Sequence, residues 1–256
     1  MDNKILEKFE AGVPSIGTFT HLKSMSAIEC LGQTGLDFVL IDQEHSPVGM
    51  EETVQYLTAA KAAGLTAIVR IGEIERTEVL RPLDAGAAGV VVPGVETVEQ
   101  VERLVSYAKF KPLGKRGYCM TRDGGWGYSD CYADGLEGYM CLCNDRTLLL
   151  PQCETVGCLE NIERICAIEG VDGIMIGPYD LSIAMGMPGQ FDRPEFIAAV
   201  ERIKNACKAS GKIAVVFTGS EASAKQYIAD GFDCVIFGMD NLVLINGYKA
   251  IVNGLK

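Results

Sequence analysis

Two carboxylates, Glu154 and Asp180, stand 26 positions apart, each closing a short apolar run. If the two runs are neighbouring parallel strands, the side chains face each other about one strand spacing, roughly 5 Å, apart. Such a pair repels unless a proton or a cation lies between the two groups. Hard oxygen donors with no Cys or His beside them suit Mg²⁺ or Mn²⁺ better than Zn²⁺. The plainer alternative is that both acids are helix N-caps or partners of Lys and Arg.

Three further features have chemical potential. His45 follows Asp42-Gln43-Glu44 and, as a neutral imidazole, could act as a general base near pH 7, or be an ordinary loop residue. Arg70 closes Ala67-Ile-Val-Arg and could grip a carboxylate through two parallel hydrogen bonds, or form a structural ion pair with Asp42 or Glu44. In Gly177-Pro-Tyr-Asp-Leu-Ser, Gly177 and Pro178 precede a helical stretch whose backbone N–H groups could face an anion.

These groups act together only if the chain gathers them at one place. Eight apolar, β-branched runs recur, at 16–20, 38–42, 66–71, 89–93, 148–154, 173–177, 213–217 and 234–238. Most are apolar on both faces, as strands buried on both sides are. Between them, 51–63, 75–84, 98–107, 159–169, 193–210 and 221–230 interleave charged and apolar residues at helical spacing. Alternating strands and helices of this number predict one (β/α)₈ TIM barrel spanning residues 1–256, with the chemistry at the C-terminal ends of the strands. Gly35-Leu-Asp-Phe, Gly170-Val-Asp-Gly and Gly231-Phe-Asp-Cys each lead into a strand and look like helix-to-strand loop chemistry rather than a catalytic repeat. Residues 110–147, with the only tryptophan at Trp126, form an extended segment before strand five, expected to lie over one barrel end.

Composition narrows the function classes. A length of 256 residues and 48% hydrophobic content suffice for one large core. A formal charge of −11 argues against a nucleic-acid surface. No apolar run is long enough to cross a membrane and the charged N-terminus is unlike a leader, so a cytoplasmic protein is expected. The ten cysteines are scattered without a CxxC pair and suit reduced thiols used as small apolar side chains.

Taken in order, Leu40-Ile-Asp-Gln-Glu-His-Ser-Pro, Ile68-Val-Arg, Val92-Pro, Pro151-Gln-Cys-Glu-Thr and Gly170-Val-Asp-Gly-Ile-Met-Ile-Gly-Pro-Tyr-Asp-Leu-Ser resemble the HpcH/HpaI aldolase family over nearly the whole chain. The resemblance implies a class II pyruvate aldolase, cleaving or forming 4-hydroxy-2-oxo acids from pyruvate, or another 2-oxo acid, and an aldehyde. It implies a divalent cation (Mg²⁺, Mn²⁺ or Co²⁺) on Glu154 and Asp180, Arg70 at the keto oxygen, His45 as base and Asp84 supporting His45. Gln152 then stands beside the metal, and Gly177 and Pro178 line the pyruvate carboxylate. Phe19 occupies a substrate-side position where relatives carry Trp, and Gln43 replaces a common Gly. A homo-oligomer, specifically a hexamer with exchanged C-terminal helices, is also implied.

Two other functions fit parts of the pattern. A citramalyl- or malyl-CoA type lyase would share the two acids and the arginine, but a CoA enzyme needs a basic groove that an acidic chain does not advertise. A non-catalytic metabolite-binding barrel would keep the fold without turnover.

Overall fold

The computed structural model describes residues 3–256. A short helix α1 (Lys4–Glu10) is capped by Asn3, whose amide also donates to the Arg146 carbonyl at 3.0 Å. The chain then alternates: β1 (Ser15–Thr20), α2 (Met25–Leu31), β2 (Phe38–Asp42), α3 (Met50–Ala62), β3 (Thr66–Arg70), α4 (Arg76–Asp84), β4 (Gly89–Val92) and α5 (Val98–Ala108). After a long connection come α6 (Gly135–Arg146), β5 (Leu148–Cys153), α7 (Val156–Glu160), α8 (Ile162–Cys166), β6 (Gly173–Ile176), α9 (Pro178–Ala184) and α10 (Pro194–Ala209). The chain ends with β7 (Ile213–Thr218), α11 (Glu221–Ala229), β8 (Cys234–Met239) and α12 (Asp240–Gly254).

The eight strands pair in parallel in sequence order and close through β8 against β1, forming the expected (β/α)₈ barrel. Side chains alternate between the two faces of each strand. Phe38 and Leu40, Ile68, Leu148 and Leu150, and Met175 fill the interior, with Ile5 of α1 closing the floor. Val39, Ile41, Val69, Leu149 and Ile174 join the larger layer between sheet and helices. The period of two carries the inward row upward to Asp42, Arg70, Gln152 and Glu154, so the same alternation that fills the core delivers polar groups to the mouth.

The three Gly-x-Asp strand entries share one job. Asp37, Asp172 and Asp233 accept from the backbone N–H of Ile16, Leu149 and Ala214 at 2.9, 2.8 and 2.9 Å. Each also pairs with a lysine: Lys8 at 2.8 Å, Lys109 at 2.9 Å and Lys208 at 2.5 Å.

The segment 110–147 joins α5 to β5. It packs on the ends of α3, α4 and α5 at the side of the barrel where the strands begin: Arg122 donates to the Ala85 carbonyl and Thr58, Arg116 to Asp84, and the Lys115 N–H to the Ser106 carbonyl. Its own small core stacks Tyr132 on Tyr139 at 4.3 Å. A hydrophobic cluster of this kind needs a wall to pack on, and the outer helices supply one.

Candidate active site

Asp42 and Arg70 are register partners on β2 and β3, and both point inward. Arg70 donates through Nε to Asp42 Oδ1 at 2.9 Å and through Nη2 to Oδ2 at 2.8 Å, a parallel two-bond clamp. The guanidinium lies 4.6 Å from the Phe19 ring centroid, while its Nη1 reaches Glu44 Oε2 at 3.3 Å. Phe19, buried on β1, is thus a platform for the arginine. The backbone N–H groups of Glu44 and His45 also point to Asp42 Oδ1, at 3.1 and 3.4 Å. Burial pushes the Asp42 carboxyl up, but contacts with His21 and Arg70 outweigh it and hold it well below the usual carboxylate range.

Across the mouth, Glu154 follows β5. Its Oε1 accepts from the Gly94 N–H at 2.7 Å, and its Oε2 accepts from the Gln152 amide. Gly177 leaves the space these groups need: a Cβ there would stand 2.8 Å from Glu154 Oε2 and 3.0 Å from Gln152 Nε2. Pro178 opens α9, and Asp180 sits in its exposed first turn. Burial, with the Asp180 charge adding to it, raises the Glu154 carboxyl above its ordinary range against the Gly94 and Gln152 bonds. Cys153 pairs with Ile176, so Glu154 and Asp180 follow two adjacent strands.

The mouth also holds unmet polar capacity. Gln152 Oε1 is buried without a hydrogen-bond partner among the described residues, and Glu44 Oε2, also buried, has no aligned hydrogen bond beside its ion contact with Arg70. Such oxygen acceptors beside two carboxylates are the donor set a hard cation accepts. No group of three or more His, Cys, Asp and Glu among the described residues is spaced to hold a metal ion alone. An ion on Glu154 and Asp180 would complete its shell with water and substrate oxygens, as Mg²⁺ commonly does.

The remaining candidates are distributed unevenly. His45 lies at the rim with a side chain 63% exposed, 3.7 Å from Glu44 Oε2. Gln43 turns outward to Thr53 on α3 at 2.8 Å. Asp84 is not beside His45 in the chain: it ends α4, at the end of the barrel where strands begin, and accepts from Arg116 at 2.8 Å. A residue that closes a helix leading into the next strand lies at the opposite end from one that follows a strand, which separates Asp84 from His45 within one chain.

Sequence inspection gave no role to His21, whose Nε2 lies 2.9 Å from Asp42 Oδ2. The signal was its place two residues beyond Phe19, in the same inward register. Asp42 was recognised only as one possible partner of Arg70.

Among the described residues no helix is long and apolar enough to cross a membrane. The model of the HpcH/HpaI aldolase/citrate lyase family matches residues 15–247. A hydroxypyruvate/pyruvate aldolase of Cupriavidus necator is 33% identical over 243 residues, covering 94% of this chain and 88% of that protein. A 4-hydroxy-2-oxo-heptane-1,7-dioate aldolase of Salmonella typhimurium is 30% identical over 253 residues, covering 98% and 94%. The crystal structure of an HpcH/HpaI aldolase from Desulfitobacterium hafniense superposes with a TM-score of 0.87 at 28% identity, covering 98% of this chain and 96% of that one. With the match running from β1 into α12, the chain belongs to the HpcH/HpaI aldolase/citrate lyase family and is a carbon–carbon lyase of the aldolase kind.

Proposed function

We propose that this protein is a metal-dependent aldolase that cleaves 4-hydroxy-2-oxo acids to pyruvate and an aldehyde, and runs the reverse addition. What supports the proposal is the clamped Arg70 at the end of β3, with Glu154 and Asp180 following the adjacent strands β5 and β6 and the Gln152 oxygen unpartnered beside Glu154.

Mg²⁺, Mn²⁺ or Co²⁺ held by Glu154 and Asp180 would act as a Lewis acid toward the enolate oxygen. Arg70, fixed by Asp42 through Nε and Nη2, keeps Nη1 on the Glu44 side to meet the 2-oxo oxygen as charge develops there. The start of α9 at Gly177 and Pro178 lines the substrate carboxylate. His45 takes the proton of the 4-hydroxyl group, directly or through a water, as the C3–C4 bond breaks, and its exposure lets it exchange that proton with solvent. C4 with its oxygen departs as the aldehyde, the electron pair of the broken bond stays on C3 as the pyruvate enolate, and a proton from solvent then adds to C3.

The test is pyruvate release from a panel of 4-hydroxy-2-oxo acids, using EDTA-treated protein before and after Mn²⁺, beside Glu154→Ala and His45→Ala. Turnover restored by metal and lost in both variants supports the proposal. Pyruvate release indifferent to EDTA and to both substitutions would overturn it.

A homo-oligomer belongs to the same proposal. On α12 only Asp240 is buried, while Leu242, Val243, Leu244, Ile245, Tyr248 and Ile251 are between 46% and 64% exposed. A helix apolar on this scale is covered by another copy in solution. Light scattering on wild type and Leu244→Lys/Tyr248→Lys checks this, with a smaller species expected from the double variant and a hexamer from wild type.

A further inference from the structure

We propose that His21 is a positioning residue for this reaction: set against Asp42, its imidazole fixes the angle at which Arg70 presents its Nη1 edge to the substrate's 2-oxo group. The inference rests on the aldolase reading above and adds to it a residue from β1.

The argument begins with register. Thr20 pairs with Ile41 and Asp42 pairs with Arg70, so one step beyond the first pair His21, Asp42 and Arg70 form a row across three adjacent strands. All three continue the inward faces that carry Phe19, Leu40 and Ile68 below them. Parallel strands about 4.8 Å apart place such neighbours within side-chain reach.

The contacts follow the row. His21 Nε2 lies 2.9 Å from Asp42 Oδ2, the same oxygen that accepts from Arg70 Nη2 at 2.8 Å. Buried Nε2 has no aligned hydrogen-bond partner among the described residues. With Nε2 2.9 Å from Oδ2, a small ring rotation about the soft χ2 torsion is all that alignment requires. Asp42 has no exposed side-chain surface, so water does not substitute for a missing partner there.

Two further contacts fix His21 itself. Its ring meets Phe19 edge-on at 6.1 Å, and Phe19 is the platform under Arg70. Its backbone N–H donates to Asp240 Oδ1 at 2.8 Å, with the Leu22 N–H on Oδ2 at 3.1 Å. The first residue of α12 thereby anchors the turn carrying His21. Arg70 is held from below by Phe19 and from the side by Asp42, and His21 touches both supports.

The experiment measures steady-state pyruvate release in the intact metal-loaded protein for His21→Leu, His21→Gln and His21→Asn, each in wild-type and Arg70→Lys backgrounds. Gln carries an N–H at the reach of Nε2, whereas Asn falls short. The expected result is a fall in kcat/KM of about tenfold for Leu and Asn, in the range for supports of reacting groups, with Gln near wild type. In the Arg70→Lys background the three variants should be alike, because the group being positioned is gone. Wild-type kinetics in His21→Leu, or the same fold-loss in both backgrounds, would overturn the inference. If His21→Leu does not fold, the Gln and Asn pair decides, since equal activity of the two contradicts the positioning role. Failure of the aldolase reading looks different: wild type itself then releases no pyruvate, and Glu154→Ala changes nothing.

Discussion

The two rims of this barrel treat their acids in opposite ways. Where the strands begin, Asp37, Asp172 and Asp233 each satisfy a backbone N–H and a lysine, leaving little capacity unused. Where the strands end, Glu44 and Gln152 each keep a buried oxygen without an aligned hydrogen bond, and Glu154 stands against the charge of Asp180. The lower rim resembles a solved packing problem, and the upper one a surface waiting for charge. Stability and activity should therefore separate by rim, as expected where a site is organised for a ligand rather than for its own lowest energy.

The largest effect should come from Glu154→Ala, which removes the best-held oxygen donor of the mouth. Turnover should fall about a thousandfold or more, read as pyruvate released at saturating Mn²⁺, while the urea midpoint stays near wild type. Asp42→Asn is expected next, and it should blur the contrast because Asp42 serves both fold and site. It weakens both bonds to buried Arg70, so unfolding free energy should drop by about 3 kcal/mol. Because the folded carboxyl titrates well below its unfolded value, its contribution is complete at neutral pH, begins to fall as pH drops below the unfolded value and is gone once pH has passed through the folded value. The gap between wild type and Asp42→Asn should persist down to about pH 4 and narrow below it in urea titrations.

Lys109→Met tests the lower rim. The ammonium group donates to the Asn144 and Thr147 carbonyls at 2.8 and 2.6 Å and to Asp172, so its loss should cost about 2 kcal/mol of stability with kcat/KM unchanged in the surviving fold. A tenfold loss of activity without loss of stability would erase the distinction between rims. Glu44→Gln is the smallest and sharpest case. Burial raises the Glu44 carboxyl more than Arg70 lowers it, so a neutral amide should leave the thermal midpoint unchanged or higher. Activity should still fall, about tenfold, since the charge beside Arg70 is gone.

Much of this was legible in the chain. The strand at 38–42 was found to the residue, because Phe-Val-Leu-Ile-Asp is apolar on both faces and Asp42 ends it. Glu154 and Asp180 could be placed at adjacent strand ends from order and spacing. The segment 110–147 could be recognised as extra, but the helices it packs on could not, since Arg122 meets Thr58 and Ala85 across a separation no local pattern spans. Arg70 posed the same difficulty: a strand-end arginine gives no sign of whether it clamps Asp42 or reaches for substrate, and the structure shows the clamp with Nη1 turned to Glu44.

The architecture could be read from the chain, because periodicities of two and 3.6 are local properties of the backbone and strand order follows from repetition. Tertiary structure alone decided the partnerships. Asp84 went to Arg116 and not to His45, because helix ends and strand ends occupy opposite rims. His21 joined Asp42 because the register of β1, β2 and β3 puts residues 21, 42 and 70 in one row, a distance no local pattern encodes.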